Sequence, residues 1–274
     1  KLGTLKRVDF TRADSSGQIR FYTLHWSPAT SPAKEKYIGD DNCRAKNPHR
    51  LSLNHSIKRK MVNGNLSDVV LYLGDYGKTM RIPLKKSVLR IVEDAKDDRD
   101  FGLVLISFSL GSIMLLDAID ELLDDDECKE EASSFCRSAD TFFMLANQVP
   151  LLMLGSYQIP GDSPEMTGVP STDSLKRFIR ERQGAAALES VPDDFRIVAM
   201  SDPNDLLSYR IPEWVARENG YPKDLFVNVI ISVSRMALII PFVGQFADPV
   251  KAHQGYGRDQ RVLDLMIKGK KKSE

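Results

Sequence analysis

Runs of apolar residues alternate with helical patterns along this chain. Ile19 to Trp26 is rich in β-branched and aromatic residues and meets Ser-Pro, so a strand running into a loop is predicted there. Residues 27–49 are polar, with prolines at 28, 32 and 48, and are expected to form a loop or insertion. A helix is expected from Arg50 to Val62. Leu66 to Leu73 fits either a short strand or a helix opened by a Ser or Asp cap, and periodicity alone does not choose. Apolar residues at 84, 88, 91, 92 and 95 share one helical face, which predicts a helix from Ile82 to Ala95. Phe101 to Phe108 is unbroken apolar sequence of strand length, as for a central strand of a parallel sheet. It breaks at Ser109-Leu110-Gly111. Ile113, Leu116, Ile119 and Leu123 then recur at helical spacing. Further strands are expected at Thr141–Ala146, Phe195–Met200 and Leu225–Val233, with a closing helix over Val262–Ile267. Residues 156–194 depart in composition, with a helix at Leu175–Gln183, and are expected to form a cap-like insertion. The order predicts one α/β domain over 1–274, a mostly parallel central sheet with helices on both faces.

Composition narrows the function classes. Of 274 residues, 42% are hydrophobic and 28% charged, which permits a sizeable core. Thirty-eight basic residues balance thirty-eight acidic ones, so there is no electrostatic case for nucleic acid as a partner. The basic cluster Lys268 to Lys272 reads as a solvated tail, with weak peripheral contact to anionic lipid as its other reading. Cys43, Cys128 and Cys136 match neither a CxxC pair nor a zinc pattern and read as free thiols in a reducing compartment. No metal and no cofactor is expected, and no glycine-rich phosphate loop follows a strand. The longest apolar stretch near the C-terminus, Met236 to Val243, is too short to span a bilayer, which takes about 20 residues. The chain begins at Lys1 without a charged and apolar leader, so a signal peptide is expected to be absent or removed, and a cytoplasmic location is the expectation.

The chemistry centres on Ser107-Phe108-Ser109-Leu110-Gly111. A serine on a sharp turn between strand and helix is exposed above the sheet, and the next N–H lies at a helix N-terminus where it can bind an oxyanion. Small residues flank such a serine because strand and helix approach closely. Gly111 fits the later position and Ser107 stands in the earlier one. The serine needs a histidine base oriented by a carboxylate. Phe195–Met200 is followed by Ser201-Asp202-Pro203-Asn204-Asp205, so either Asp202 or Asp205 can supply the acid. His253, the only histidine beyond position 55, follows the last strand. His25, on a strand, and His49 and His55, by a loop and on a polar helix face, read as structural or solvated.

With these residues in place the chain resembles the α/β-hydrolase superfamily, in its lipase-like branch. Ser109-Leu110-Gly111-Ser112 is similar to the elbow of DDHD-type phospholipases, and Asp68-Val69-Val70-Leu71-Tyr72 to a segment preceding that elbow. Asp205 to Pro212 is similar to the acid segment of class 3 lipases, and His253-Gln254-Gly255-Tyr256 to the His-x-x-Tyr around the base. The resemblance covers about residues 66–267. It implies Ser109 as nucleophile, Asp205 as acid, with Asp202 the alternative, His253 as base and the Leu110 N–H as oxyanion donor. The implied reaction is hydrolysis of a carboxylic ester, a lipid or other acyl ester, through an acyl-enzyme; acyl transfer, amide and thioester hydrolysis use the same groups. Leu238, Ile239, Ile240 and Phe242 either line an acyl pocket or pack in the core. The family's strand ending in His-Gly, which gives a second oxyanion donor, has only His25-Trp26-Ser27-Pro28 as an imperfect substitute. The alternative expectation is therefore a weak or inactive hydrolase-fold protein that binds a partner protein or lipid.

Overall fold

In the computed structural model the described residues are 2–11, 17–98, 101–154, 173–184, 195–234, 237–240 and 244–268, without the side chains of 173, 237–240 and 244–246. The chain divides into two compact units, Lys1–Phe101 with Met114–Phe135, and Gly102–Ile113 with Cys136–Glu274. Most of the proposed cap, 156–172 and 185–194, lies outside the described residues, as does the basic tail beyond Lys268.

The first unit opens with an antiparallel hairpin of β1 (Thr4–Thr11) and β2 (Gln18–His25). The predicted loop over 27–49 holds α1 (Ser31–Ile38), because Pro32 falls in the first turn, where its missing N–H costs nothing and its fixed φ suits a helix. Next come α2 (Ser52–Ile57), a π-helical stretch Lys58–Leu66, α3 (Ser67–Leu73) and α4 (Tyr76–Asp94). The undecided segment 66–73 is thus helical: Val69 and Tyr72 are buried while Val70 and Leu73 are exposed, a helical rather than a two-residue period. Gly77 is required by close approach, since a Cβ there would sit 2.1 Å from the Tyr72 carbonyl oxygen. The Tyr72 hydroxyl donates to Asp117, and Arg81 and Lys85 both pair with Glu121 at 2.6 and 2.8 Å. Two helices have residues in both units, α5 (Gly111–Leu123) and α6 (Lys129–Arg137).

The second unit is built on a parallel sheet of β3 (Leu103–Phe108), β4 (Ala139–Leu145), β5 (Arg196–Ser201) and β6 (Phe226–Ile230), in that order across the sheet. It also contains α7 (Val149–Met153), α8 (Asp173–Gln183), α9 (Glu213–Glu218), a hairpin of β7 (Ala237–Ile240) and β8 (Gly244–Ala247), α10 (Pro249–Gln254) and α11 (Gln260–Lys268). Neighbouring strand residues point to opposite faces. Phe143, Leu145, Val198 and Met200 pack with Val262 and with Leu265 and Met266 of α11. On the other face the Phe142 ring meets Phe178 of α8 at 5.9 Å, and Phe178 meets Phe195 at 6.2 Å. This unit is therefore a helix-covered parallel sheet, the α/β class that the pattern predicts.

Two differences from the pattern have physical causes. The apolar run before Ser109 reads as a central strand, yet β3 is an edge of the four-stranded sheet, with Val104, Ile106 and Phe108 exposed and Leu105 and Ser107 buried. Its continuous hydrophobicity does not come from burial on both faces. The strand expected over 225–233 ends at Ile230, because the backbone N–H groups of Val233 and Ser234 turn to the Asp202 carboxylate instead of a ladder.

Candidate active site

Parallel strands end on the same side of their sheet, so the loops after β3, β4 and β5 emerge together. Ser109 leaves β3 with φ of 56°, a left-handed conformation that costs a non-glycine residue about 1–3 kcal/mol and is held only where surrounding structure fixes it. Here its N–H donates to the Leu145 carbonyl oxygen at 2.8 Å, continuing the β3–β4 ladder into the turn. Leu110 is buried and directly precedes α5, so its N–H lies among the helix-start donors that have no intrahelical acceptor.

Ser107, the departure from the usual glycine, is buried and satisfied. Its Oγ lies 2.7 Å from the Ser112 Oγ and donates to the Phe143 carbonyl oxygen at 3.3 Å. The hydroxyl thus ties the end of β3 to the first turn of α5, and the turn tolerates serine.

His253 is carried by α10, whose start is capped by the Asp248 carboxylate accepting from the Val250 and Lys251 N–H groups at 2.9 and 3.3 Å. The imidazole is buried, with the Phe108 ring at 5.4 Å. Its Nε2 lies 3.0 Å from Ser109 Oγ. Its Nδ1 lies 2.9 Å from both oxygens of Asp205. A carboxylate accepts, so Nδ1 carries the proton and Nε2 is left to accept from the serine hydroxyl. Gly255, two residues on, is required by space: a Cβ there would meet the Lys251 carbonyl oxygen at 2.7 Å and Val233 at 2.9 Å.

The two candidate carboxylates have different surroundings. Asp205 is buried against His253, and its Oδ1 also accepts from the Leu207 N–H at 3.0 Å. Asp202 faces elsewhere. Its Oδ2 accepts from Val233 and Ser234 N–H at 2.6 and 3.2 Å, and its Oδ1 from the Asn204 N–H and Nδ2 at 2.8 and 3.2 Å. Asp202 thus braces the loop that presents Asp205.

Two neighbours of the site had no role assigned from the sequence, although Tyr256 stands in the His-x-x-Tyr segment. Tyr256 is fully buried, its hydroxyl accepts from the Asp202 N–H at 2.6 Å and lies 3.4 Å from Asp205 Oδ2, and burial pushes its phenol up, so it stays protonated. Asn147 joins the β4 end to the acid loop, donating to the Tyr209 carbonyl oxygen at 2.9 Å while its own carbonyl accepts from the Tyr209 N–H at 2.8 Å. The signal for Asn147 was present: a polar residue just beyond an apolar strand, at the end where the serine also sits.

The other candidate histidines belong to the first unit. His25, in the first unit, bonds Ser27 Oγ through Nε2 at 2.7 Å, and among the described residues no carboxylate joins that pair. The side chains of Leu238, Ile239 and Ile240, and all of Phe242, lie outside the described residues. Among the described residues no cluster of three or more His, Cys, Asp or Glu could hold a metal ion, and no helix is long and apolar enough to cross a membrane. Comparison with known protein families, with curated proteins and with solved structures finds no match to this chain.

Proposed function

We propose that this chain is a serine hydrolase of the α/β-hydrolase type that cleaves a carboxylic ester, a lipid or other acyl ester, through an acyl-enzyme on Ser109. The observation that carries it is the chain of contacts from Ser109 Oγ to His253 Nε2 at 3.0 Å and from His253 Nδ1 to Asp205 at 2.9 Å, beginning at a serine in a left-handed turn. In this reading Ser109 Oγ attacks the ester carbonyl carbon while His253 Nε2 takes its proton. The oxyanion that forms accepts from the Leu110 N–H. The imidazolium, stabilised by Asp205, then protonates the departing alkoxide. Water repeats the sequence on the acyl-enzyme, freeing the acid and restoring the serine.

A second reading, a hydrolase-fold protein that binds a lipid or a partner protein with little turnover, is favoured by one observation. Leu110 supplies a single oxyanion donor, and no His-Gly follows a strand in the sequence. Lacking one donor typically costs ~10²–10³ in rate. A fluorophosphonate probe separates the readings. Covalent labelling of the native protein that disappears in Ser109→Ala supports hydrolysis, and folded protein that takes no label rejects it.

A further inference from the structure

The helical run from Ser52 to Leu73 presents an apolar face to solvent. Leu53, Val62, Leu66, Val70 and Leu73 are all exposed, from 38% at Leu66 to 67% at Val70. Their spacing does not fit an uninterrupted α-helix, in which the nine residues from Leu53 to Val62 would put the two on opposite sides. The π-helical turns over Lys58–Leu66 reduce that offset, because i→i+5 bonding stacks residues four to five apart. From Val62, steps of four, four and three keep Leu66, Val70 and Leu73 on one side of the run.

The charge around this face is one-sided. Between Asp41 and Asp68 the chain has six Lys or Arg and no Asp or Glu, within a chain whose totals balance. Arg50 and Lys58 satisfy Asp41 at 2.7 and 3.0 Å, and Asp68 is buried in an ion pair with Lys34 at 2.7 Å. Arg44, Lys46, Arg59 and Lys60 are exposed, with Lys46 paired to Asp40.

We propose that this face docks on an anionic lipid bilayer, its apolar side chains entering the boundary between head groups and acyl chains and its cations meeting the negative surface. An exposed apolar stripe, with Arg44, Arg59 and Lys60 in no ion pair among the described residues, matches the two attractions that an interfacial helix uses together. The proposal concerns the first unit alone and stands whether or not Ser109 turns over an ester.

The test uses full-length Ser109→Ala protein, so that vesicles are not hydrolysed, and sedimentation with vesicles of phosphatidylcholine alone or with about a third phosphatidylserine. The protein should bind the phosphatidylserine vesicles, bind neutral ones far less, and be released by high salt. Replacing Arg59 and Lys60 together by Gln should weaken partitioning about 25-fold, at roughly fivefold per cation. Leu66→Glu with Val70→Glu should weaken it at least ~10-fold, since two apolar contacts are lost. All four positions are exposed, so melting temperatures should barely move, which separates lost docking from lost folding. The proposal is overturned by no binding to either vesicle, or by binding that both double variants retain. It is equally overturned if removal of the basic tail beyond Lys268 alone abolishes binding, or if the Glu variant instead dissolves a self-association seen without lipid.

Discussion

Replacing Asp205 or Asp202 by Asn should have opposite signatures, although the two carboxylates lie three residues apart in one loop. In Asp205→Asn one side-chain atom can still accept from the Leu207 N–H, which fixes the amide oxygen at the Oδ1 position. The NH₂ group then falls where Oδ2 stood, 2.9 Å from His253 Nδ1, and as a donor it opposes a proton on Nδ1, against the amide oxygen that lies equally near. The imidazole responds by moving its proton to Nε2, the nitrogen facing Ser109 Oγ, and can no longer accept the serine proton. Wrong-tautomer substitutions of this kind in serine hydrolases cost ~10⁴ in rate, or about 5 kcal/mol at 1.36 kcal/mol per tenfold. In Asp202→Asn the imidazole is untouched, but four donors had converged on that carboxylate. The amide must turn its own N–H groups towards one pair of them. The cost is stability, about 2–4 kcal/mol for losing charge-assisted bonds to buried N–H groups, or a melting temperature lower by roughly 5–15 °C. The assay is the fluorophosphonate labelling rate beside a thermal melt, each below the melting temperature of the variant. Labelling of Asp205→Asn at the native rate, or a larger rate loss in Asp202→Asn than in Asp205→Asn while both are folded, would refute the assignment.

Three further outcomes follow from the site and its surroundings. Tyr256→Phe removes the hydroxyl that accepts the Asp202 N–H, leaving only the longer Ser208 contact at 3.3 Å. It should destabilise by about 1–3 kcal/mol in a denaturant melt, with labelling of Ser109 slowed less than ~10-fold. Ser107→Gly, the change towards the commoner signature, should keep the labelling rate within a factor of a few while losing about 1 kcal/mol from the Ser112 pairing; loss of labelling would mean that the hydroxyl does more than tie strand to helix. Burial pushes the Cys136 thiol up to about 12. Raising the pH from 7 to 9 should therefore leave it almost wholly protonated, and iodoacetamide should modify exposed Cys43 in native protein but reach Cys136 only after denaturation.

The parts of this fold that were legible in the sequence are those where local pattern and burial agree. The apolar runs before residues 146 and 201 are strands because helices cover their sheet, and the chemistry-bearing residues follow these and β3 because parallel strands all end on one side. That rule placed Ser109 and the two acids on the same edge, while His253, as the single histidine late in the chain, left no competing base in that half. The sequence could not separate Asp202 from Asp205. Both sit in one turn-forming loop, and what distinguishes them is which backbone N–H groups arrive from residues 233 and 234, a contact set across about 30 residues of chain. Strand β1 was missed for a related reason. Its outward Val8 and Phe10 pair across the hairpin with Phe21 and Ile19, while its other face meets α4 through charge, Arg7 with Asp94 at 3.1 Å. Residues Lys6 to Thr11 are exposed on both faces, so β1 lacks the half-buried alternation by which such strands are recognised.

The position of β3 bears most on whether this site turns over. A nucleophile strand flanked on both sides would have neighbouring loops on either hand from which to draw oxyanion donors. Here β3 has β4 on one side only, among the described residues, and the N–H of Ser109 is already spent on the Leu145 carbonyl oxygen. Among the described residues, the backbone donors beside Ser109 are then those at the start of α5, Leu110 first, and what the loop after β4 can offer. In that loop Ala146 is held at φ of 50°, Asn147 is occupied with Tyr209, and the buried Gln148 Oε1 has no hydrogen-bond partner. Two strained residues, Ser109 and Ala146, thus stand at the ends of adjacent strands, and strain of this kind persists where function or packing over-determines it. If the β4 loop has no part in the chemistry, Gln148→Ala should leave the labelling rate of Ser109 unchanged; a fall of ~10-fold or more in protein that melts normally would make that loop the second source of oxyanion stabilisation. Unchanged labelling at a rate already ~10²–10³ below that of an ordinary esterase would instead fit a single-donor site.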